Sequence, residues 1–495
     1  MIFTVVLCLI TLFLLYVIQK RPKNFPPGPR NWPLVGTLPV MIGQPGDNHP
    51  FNPLDRLRQK HGNLVGLFLG IQPAVLVSGY ENVKEISARE DFTYRPDITV
   101  VQHKMFHYEK SGLFFVDGEK WKTQRRFTLR HLRDFGFGKQ SMDHYIHSEI
   151  DILFAVFRDL MAKHPEQKET GHDFLKVLPA VAINTLWYII AGEIHGLENE
   201  HFIRLTRLVL KFFRLGDQTS PVPIYRLLQH IPFINNNFKQ QEKCGEEIMT
   251  FIQEAVVRHV DTFNENDMRD FMDVYIREMK KDSDGSFSEN QLISICMDLF
   301  LAGTETTAST TTFTLRYLIK YPEIQEKVRN EIYQVVGKDR LPSTEDMPNL
   351  HYCMAVLTES MRHSGVTPST PPKSTVKDVN FQGYNIPKGC MMIVNLRSVN
   401  MDEKHLGDPE TFRPERFIGP DGKFRKDEKL MLFGSGTRIC LGEPFAKNTT
   451  FIFYTSIVQN FKLEAAPYGP KPSEVILDGF TTAPEPFKMT MTALN

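Results

Sequence analysis

Phe433-Gly434-Ser435-Gly436-Thr437-Arg438-Ile439-Cys440-Leu441-Gly442, followed by Glu443, Pro444 and a helical run from Phe445, is the stretch on which the fold of this 495-residue chain turns. Gly434 and Gly436 can take positive φ and let the loop turn tightly, and Gly442 has no Cβ to obstruct a flat ligand lying against the backbone. Cys440 falls just before a helix N-terminus, where the dipole and free N–H groups favour a thiolate. A lone cysteine in a glycine-rich turn is ordinarily buried and inert.

Working outward, 41% hydrophobic and 23% charged residues describe an ordinary folding chain. Lys plus Arg equals Asp plus Glu, so there is no global attraction for nucleic acid or acidic membranes. Cys8, Cys244, Cys296, Cys353, Cys390 and Cys440 form no C-x-x-C pair, which excludes the usual zinc and thioredoxin-like patterns. Residues 1–18 hold no charge, Gly or Pro; at ~1.5 Å per residue a helix of that length just crosses a hydrocarbon core. Lys20, Arg21, Lys23 and Arg30 all follow the run, which predicts an uncleaved anchor at 1–18 with the remaining chain in the cytosol. Pro26-Pro27-Gly28-Pro29 then marks a stiff spacer, so 19–30 reads as a basic, proline-rich hinge and 31–495 as the folded domain.

Short strands are expected at 64–69 and 74–77, helices through the middle, and breaks at 164–172 and 280–286. After Pro368, Pro, Gly and β-branched residues, including Tyr384-Asn385-Ile386-Pro387-Lys388-Gly389, predict a small sheet and an irregular meander. There is no internal repeat. The expected class is mainly α with a small β part.

The pattern F-G-x-G-x-R-x-C-x-G around Cys440 resembles the haem-binding loop of the cytochrome P450 family and matches it at every fixed position. The resemblance implies haem b with Cys440 as axial iron ligand, a thiolate whose electron donation promotes O–O cleavage. It implies cofactor contacts from Phe433, Gly436, Gly442 and Arg438, the last facing a haem propionate. Other family elements follow in order over essentially the whole chain, in wording similar to insect members of the microsomal, family-2 clan. Ser288 and Gln291 suit a capping box opening a helix that runs to Pro322. Within it Ala302-Gly303-Thr304-Glu305-Thr306-Thr307 resembles the oxygen-binding stretch. Thr306 can bond the Ala302 carbonyl four residues back and open a groove. By resemblance Thr306 orders the water that protonates dioxygen, and Glu305 connects that water to solvent.

Glu359 and Arg362 share one helix face. With Arg416 in Phe412-Arg413-Pro414-Glu415-Arg416-Phe417, they resemble the family's buried charge cluster. Trp121 and Arg125 resemble the W-x-x-x-R helix whose indole and guanidinium meet a propionate. Lys120, Lys122, Arg126, Arg130 and Arg133 accompany them, either a solvated basic face or a docking patch for an acidic flavoprotein reductase. Lys373 stands where many relatives carry His or Arg; it can meet a propionate as a point charge, without planar geometry.

His103 and His107 are four apart but lack the Glu of a metalloprotease motif; they read as part of a loop bordering the substrate cavity. Gly434-Ser435-Gly436 is no dinucleotide fingerprint, because Ile439 replaces the third glycine. NADPH and flavins are therefore expected only through a partner reductase, with cytochrome b5 as a further partner. The family places the substrate pocket along 100–115, 202–213, 300–306, 366–370 and 480–482, whose apolar content favours a lipophilic substrate: a hormone, terpenoid, lipid or foreign compound. The implied reaction is insertion of one atom of O2 by hydroxylation or epoxidation at the endoplasmic reticulum membrane. A haem protein that only senses a ligand, or isomerises a peroxide, has less need of Glu305 and Thr306.

Overall fold

One helix longer than any of its neighbours organises the packing. The computed structural model describes residues 20–96, 110–216 and 236–494. Its first part holds α1 (Asn52–His61), β1 (Leu64–Leu69), β2 (Gln72–Val77), α2 (Tyr80–Ala88), α3 (Gly118–Asp134) and α4 (Asp143–Lys163). The middle holds α5 (Leu178–Ala191), α6 (Glu200–Leu215), α7 (Asn236–Asp261), α8 (Phe271–Lys281), α9 (Glu289–Lys320), α10 (Pro322–Val335) and α11 (His351–Ser364). The last part holds β3 (Lys373–Ser374), β4 (Val379–Phe381), β5 (Tyr384–Ile386), β6 (Met391–Val394), α12 (Glu443–Asn460), β7 (Phe461–Ala465), β8 (Ile476–Leu477), β9 (Ala483–Pro484) and β10 (Met489–Ala493). The mainly helical class with a minor β part is what the sequence predicts.

The 32 residues of α9 span about 48 Å and touch α5, α6, α7, α10, α11 and α12. Ser288 caps its start by accepting from the Gln291 N–H at 3.3 Å, and Tyr321, disfavoured in helix by Pro322, ends it. Only half of the expected capping box forms. The Gln291 side chain leaves Ser288 and instead clasps Gly112 through both its amide groups, at 3.2 and 2.9 Å, because the buried loop backbone needs partners there.

α5 is apolar enough to cross a membrane by composition, but 78% of that window, which starts at Phe174, is buried inside the protein, so it is a core helix. Leu186, Trp187 and Ile190 from α5 join Phe251 and Phe300 in the main helical core. A four-stranded sheet of order β1-β2-β6-β3 forms the second layer. β2 runs parallel to β6, with Ala74 opposite Met391, and β6 runs antiparallel to β3, with Lys373 opposite Met392. That register carries Lys373 to a fixed place at the sheet edge. The anchor at 1–18 lies outside the described residues. The hinge is non-helical but packed: Gly66 N donates to Pro27 O at 2.7 Å, and Phe25 is buried against Phe68. Ordered packing thus starts before the expected boundary at residue 31.

Between β6 and α12 the chain meanders, and one carboxylate ties it down. Glu359 on α11 takes a two-pronged contact from Arg362, at 2.7 and 2.8 Å, then accepts from Arg416 Nε at 3.1 Å and from Arg413 N at 2.8 Å. Arg362 reaches on to the carbonyls of Asn400 and Pro409. Glu359 and Arg362 side chains are wholly buried. Truncating one member leaves an uncompensated charge in the interior. Arg362→Met is expected to lower unfolding free energy by about 3–5 kcal/mol, read from denaturant midpoints with the slope unchanged; a loss below about 1 kcal/mol, the scale of an exposed pair, would make the cluster peripheral.

Candidate active site

A cavity of about 1270 Å³ opens between α9, the start of α12 and the β1-β2-β6-β3 sheet. Cys440, Thr306, Trp121, Arg125, Arg438 and Lys373 all line it, as do Phe433 and Gly442. Local backbone chemistry sets the cysteine loop. Gly434 and Gly436 have φ of 77° and 71°, and a Cβ on Gly436 would fall 2.0 Å from the Ser87 carbonyl oxygen, so only glycine fits. Cys440 N donates to Phe433 O at 3.0 Å, closing the loop. A Cβ on Gly442 would meet only Cys440 Sγ, at 3.8 Å, which leaves the cavity floor clear.

Among the described cysteines, Cys244, Cys296, Cys353 and Cys390 are buried, whereas Cys440 is accessible. Its accessibility is to the cavity, deep within the protein. Burial pushes the Cys440 thiol up, and the Gly442 and Glu443 N–H groups with Arg125 only partly offset this. A coordinating metal ion would favour the thiolate.

On α9, Ala302, Gly303 and Thr306 face the same space. Thr306 Oγ1 donates to Ala302 O at 2.6 Å, and a Cβ on Gly303 would come within 2.3 Å of Leu186 Cδ2. Gly303 thus serves close helix packing; α9 is continuous through it. The Glu305 side chain is buried and paired with Arg214, with Ser309 and Thr481 as further donors. Burial raises its carboxyl pKa, against the pull of Arg214.

The residues suit an anionic, flat cofactor. Arg438 stacks 3.8 Å above Trp121 and pairs with Asp117 at 3.1 Å. Burial, then the neighbouring Arg95, lowers its pKa to about 9. Lys373 Nζ is buried without a hydrogen-bond partner among the described residues, and burial followed by Arg95 and Arg438 brings its pKa down to about 7. Arg125 donates to the Ile439 carbonyl. Such a cluster, whose cations outnumber the nearby carboxylates Asp117 and Asp298 among the described residues, fits the two propionates of a haem, whose iron would face Cys440.

Arg95 escaped the sequence reading. It is buried, holds the Phe114, Pro371 and Pro372 carbonyls at 2.7–3.0 Å, and lines the cavity beside Lys373. Tyr94-Arg95-Pro96 offers no spacing signal, so only folding reveals it. The five pocket segments do contribute lining residues, including Phe115, Phe212, Phe213, Val366 and Phe480. Asp298 and Gln241 were not foreseen there. His103 and His107 lie outside the described residues. Lys120, Lys122, Arg126, Arg130 and Arg133 are exposed along α3.

Residues 26–491 match the family model described as Cytochrome P450. The chain belongs to the cytochrome P450 family. It is 34% identical to cytochrome P450 2B2 of Rattus norvegicus, over 93% of this chain and 92% of that one. It is 35% identical to cytochrome P450 2J5 of Mus musculus, over 92% and 90%, and 31% identical to farnesoate epoxidase of Bombyx mori, over 98% and 97%. As a P450 it is a haem-dependent monooxygenase of family-2-like type, and the family implies a cysteine thiolate on the iron.

Stability against pH tests the cradle. The unfolded chain binds the proton that folded Lys373 sheds, so haem-free protein should gain stability as pH rises through about 7 towards the free-lysine range. Urea titrations should show this slope flattened in Lys373→Met, and that variant should lose haem faster to a scavenger; an unchanged slope and unchanged haem loss would take Lys373 out of the cradle.

Proposed function

We propose that Cys440 is the axial ligand of haem b, and that this P450 inserts one atom of O2 into a lipophilic substrate, by hydroxylation or epoxidation. The convergence of one accessible thiol, a cationic cradle and the Thr306 groove on a single cavity carries the reading. Haem bound through a thiolate supplies oxygen activation. Trp121, Arg125, Arg438, Arg95 and Lys373 hold its propionates. Gly436 and Gly442 keep the loop tight and the cofactor face clear. Thr306, anchored to Ala302, would hold a water in the α9 groove, and Glu305 would resupply a proton to that water.

Electrons come from NADPH through a flavoprotein reductase, with cytochrome b5 as a second donor. The exposed cations of α3 steer that encounter. Residues 1–18 anchor the protein in the endoplasmic reticulum membrane with the domain on the cytosolic side, consistent with the basic residues that follow them. The apolar walls from Phe115, Phe212, Phe213 and Phe480 suit hormone-like, terpenoid, lipid or foreign molecules. The similarity to a farnesoate epoxidase brings terpenoid acids into that range.

The deciding spectrum is that of dithionite-reduced protein with and without carbon monoxide. A strongly red-shifted Soret band is expected in the wild type and lost in Cys440→Ser; a histidine-type band in the wild type would sink the assignment. In Thr306→Ala, haem should stay bound while NADPH oxidation is diverted to hydrogen peroxide, by about 10²-fold or more relative to product, the lower range for loss of a general acid. Normal coupling in that variant would remove Thr306 from proton delivery.

A further inference from the structure

Glu305 precedes Thr306 on α9, and its carboxylate is held from three directions. Oε1 accepts from Arg214 Nη2 at 2.5 Å and from Ser309 Oγ at 2.9 Å, and Oε2 accepts from Thr481 Oγ1. Arg214, in the last turn of α6, also donates to Leu477 O at 3.2 Å, Asp478 O at 3.1 Å and Thr481 Oγ1 at 3.0 Å. One guanidinium therefore joins α6, α9 and the turn between β8 and β9. Both of its partner elements wall the cavity. Phe213 and Phe480 line it side by side with ring centres 6.2 Å apart, and Phe480 N donates to Phe213 O at 3.0 Å.

Among the described residues, Arg214 is the charged group that acts on Glu305. Ser309 from its own helix and Thr481 from the turn approach as hydroxyls, α5 presents Leu186 beside Gly303, and Asp478 Oδ1 accepts from Gly479 N. Arg214 supplies the charge. It is also the partly open member, 23% exposed against 1% for Glu305, so exchange with bulk water passes its position.

We propose that Arg214 is a positioning residue for proton delivery, fixing the orientation and ionisation of Glu305 and making both depend on where α6 and the β8–β9 turn stand over the cavity. This rests on the reading of Glu305 and Thr306 as the proton-delivery pair. With the walls closed, the carboxylate stays paired and ionised. When a substrate parts Phe213 from Phe480, the Arg214 contact lengthens, and the buried carboxylate takes a proton from water. It then passes that proton to the water at Thr306 and returns to its ionised form.

The test uses the holoenzyme with NADPH and purified reductase, comparing wild type with Arg214→Met, Arg214→Lys, Thr481→Val and Glu305→Gln. Two quantities are followed against pH: the fraction of consumed O2 released as hydrogen peroxide, and the infrared carboxyl band that disappears in Glu305→Gln. Arg214→Met should move the midpoints of both upward together, by about one to three pH units, the usual effect of removing an adjacent opposite charge. Arg214→Lys should shift them less, and Thr481→Val, losing one donor to the charged form, should shift both in the same direction. Midpoints that stay in place while only thermal stability falls would overturn the proposal. Should Arg214→Met not fold, static midpoints in Arg214→Lys and Thr481→Val overturn it equally. If Glu305→Gln leaves the peroxide fraction as in wild type, the proton-delivery reading fails instead, and the infrared band separately reports whether Arg214 governs the carboxyl.

Discussion

Buried positive charge in excess of the carboxylates beside it, among the described residues, is the constraint around which this fold is arranged. Arg95, Arg438 and Lys373 share one end of the cavity with the carboxylates Asp117 and Asp298, and neighbouring cations add to the cost of taking Arg438 and Lys373 from water. The scaffold nonetheless fixes all three. Carbonyls of Phe114, Pro371 and Pro372 hold Arg95, Trp121 supports Arg438 from one face, and the β3–β6 pairing fixes Lys373. A protein that keeps such a cluster is stabilised by an anionic ligand through ordinary linkage, so haem binding and folding reinforce each other. Glu359 bears on this indirectly, because the meander that it joins to α11 leads into the cysteine loop.

The same economy of placement governs α9. Gln291, Ser294 and Asp298 recur at spacings of three and four, and so share a face. Gln291 clasps Gly112, Ser294 meets Ser111 at 2.6 Å, and Asp298 accepts from the Leu113 and Phe114 N–H groups at 2.6 and 2.9 Å. Buried loop backbone at the rim of the cavity needs hydrogen-bond partners, and the helix supplies them. Burial pushes the Asp298 carboxyl up to about 7, against these two N–H groups and Arg95. One turn further on, Gly303 admits Leu186 and Thr306 bonds back to Ala302, so the helix can pack tightly on α5 and still present a polar groove.

What could be read from the sequence was whatever chemistry is contiguous. The ten residues ending at Gly442 specify turn, ligand and helix start within one short loop, and Ala302 to Thr307 lie within two turns of one helix. Glu359 and Arg362 are legible as a pair because three residues place them together, although only the fold shows them wholly buried. Arg95 and Arg214 carry no such signal. Arg95 meets Pro371 some 276 residues away, and Arg214 meets Glu305 across 91 residues, distances over which spacing says nothing. The half-made capping box is the converse case: Ser288 and Gln291 have the right local spacing, and a tertiary partner, Gly112, takes the Gln291 side chain.

Selectivity must follow from how the cavity is walled. Phenylalanines from distant segments form much of the substrate side, and apolar walls separate similar molecules by only about 1–3 kcal/mol per methylene. Larger discrimination requires a polar group left unsatisfied by the wrong molecule. Asp298 and Gln241 are among the cavity residues able to impose that penalty, but each already serves the fold, Asp298 through the 113–114 backbone and Gln241 through the Phe212 carbonyl. A substrate that engages either one therefore perturbs the wall it sits on, and recognition and cavity shape are coupled through the same atoms.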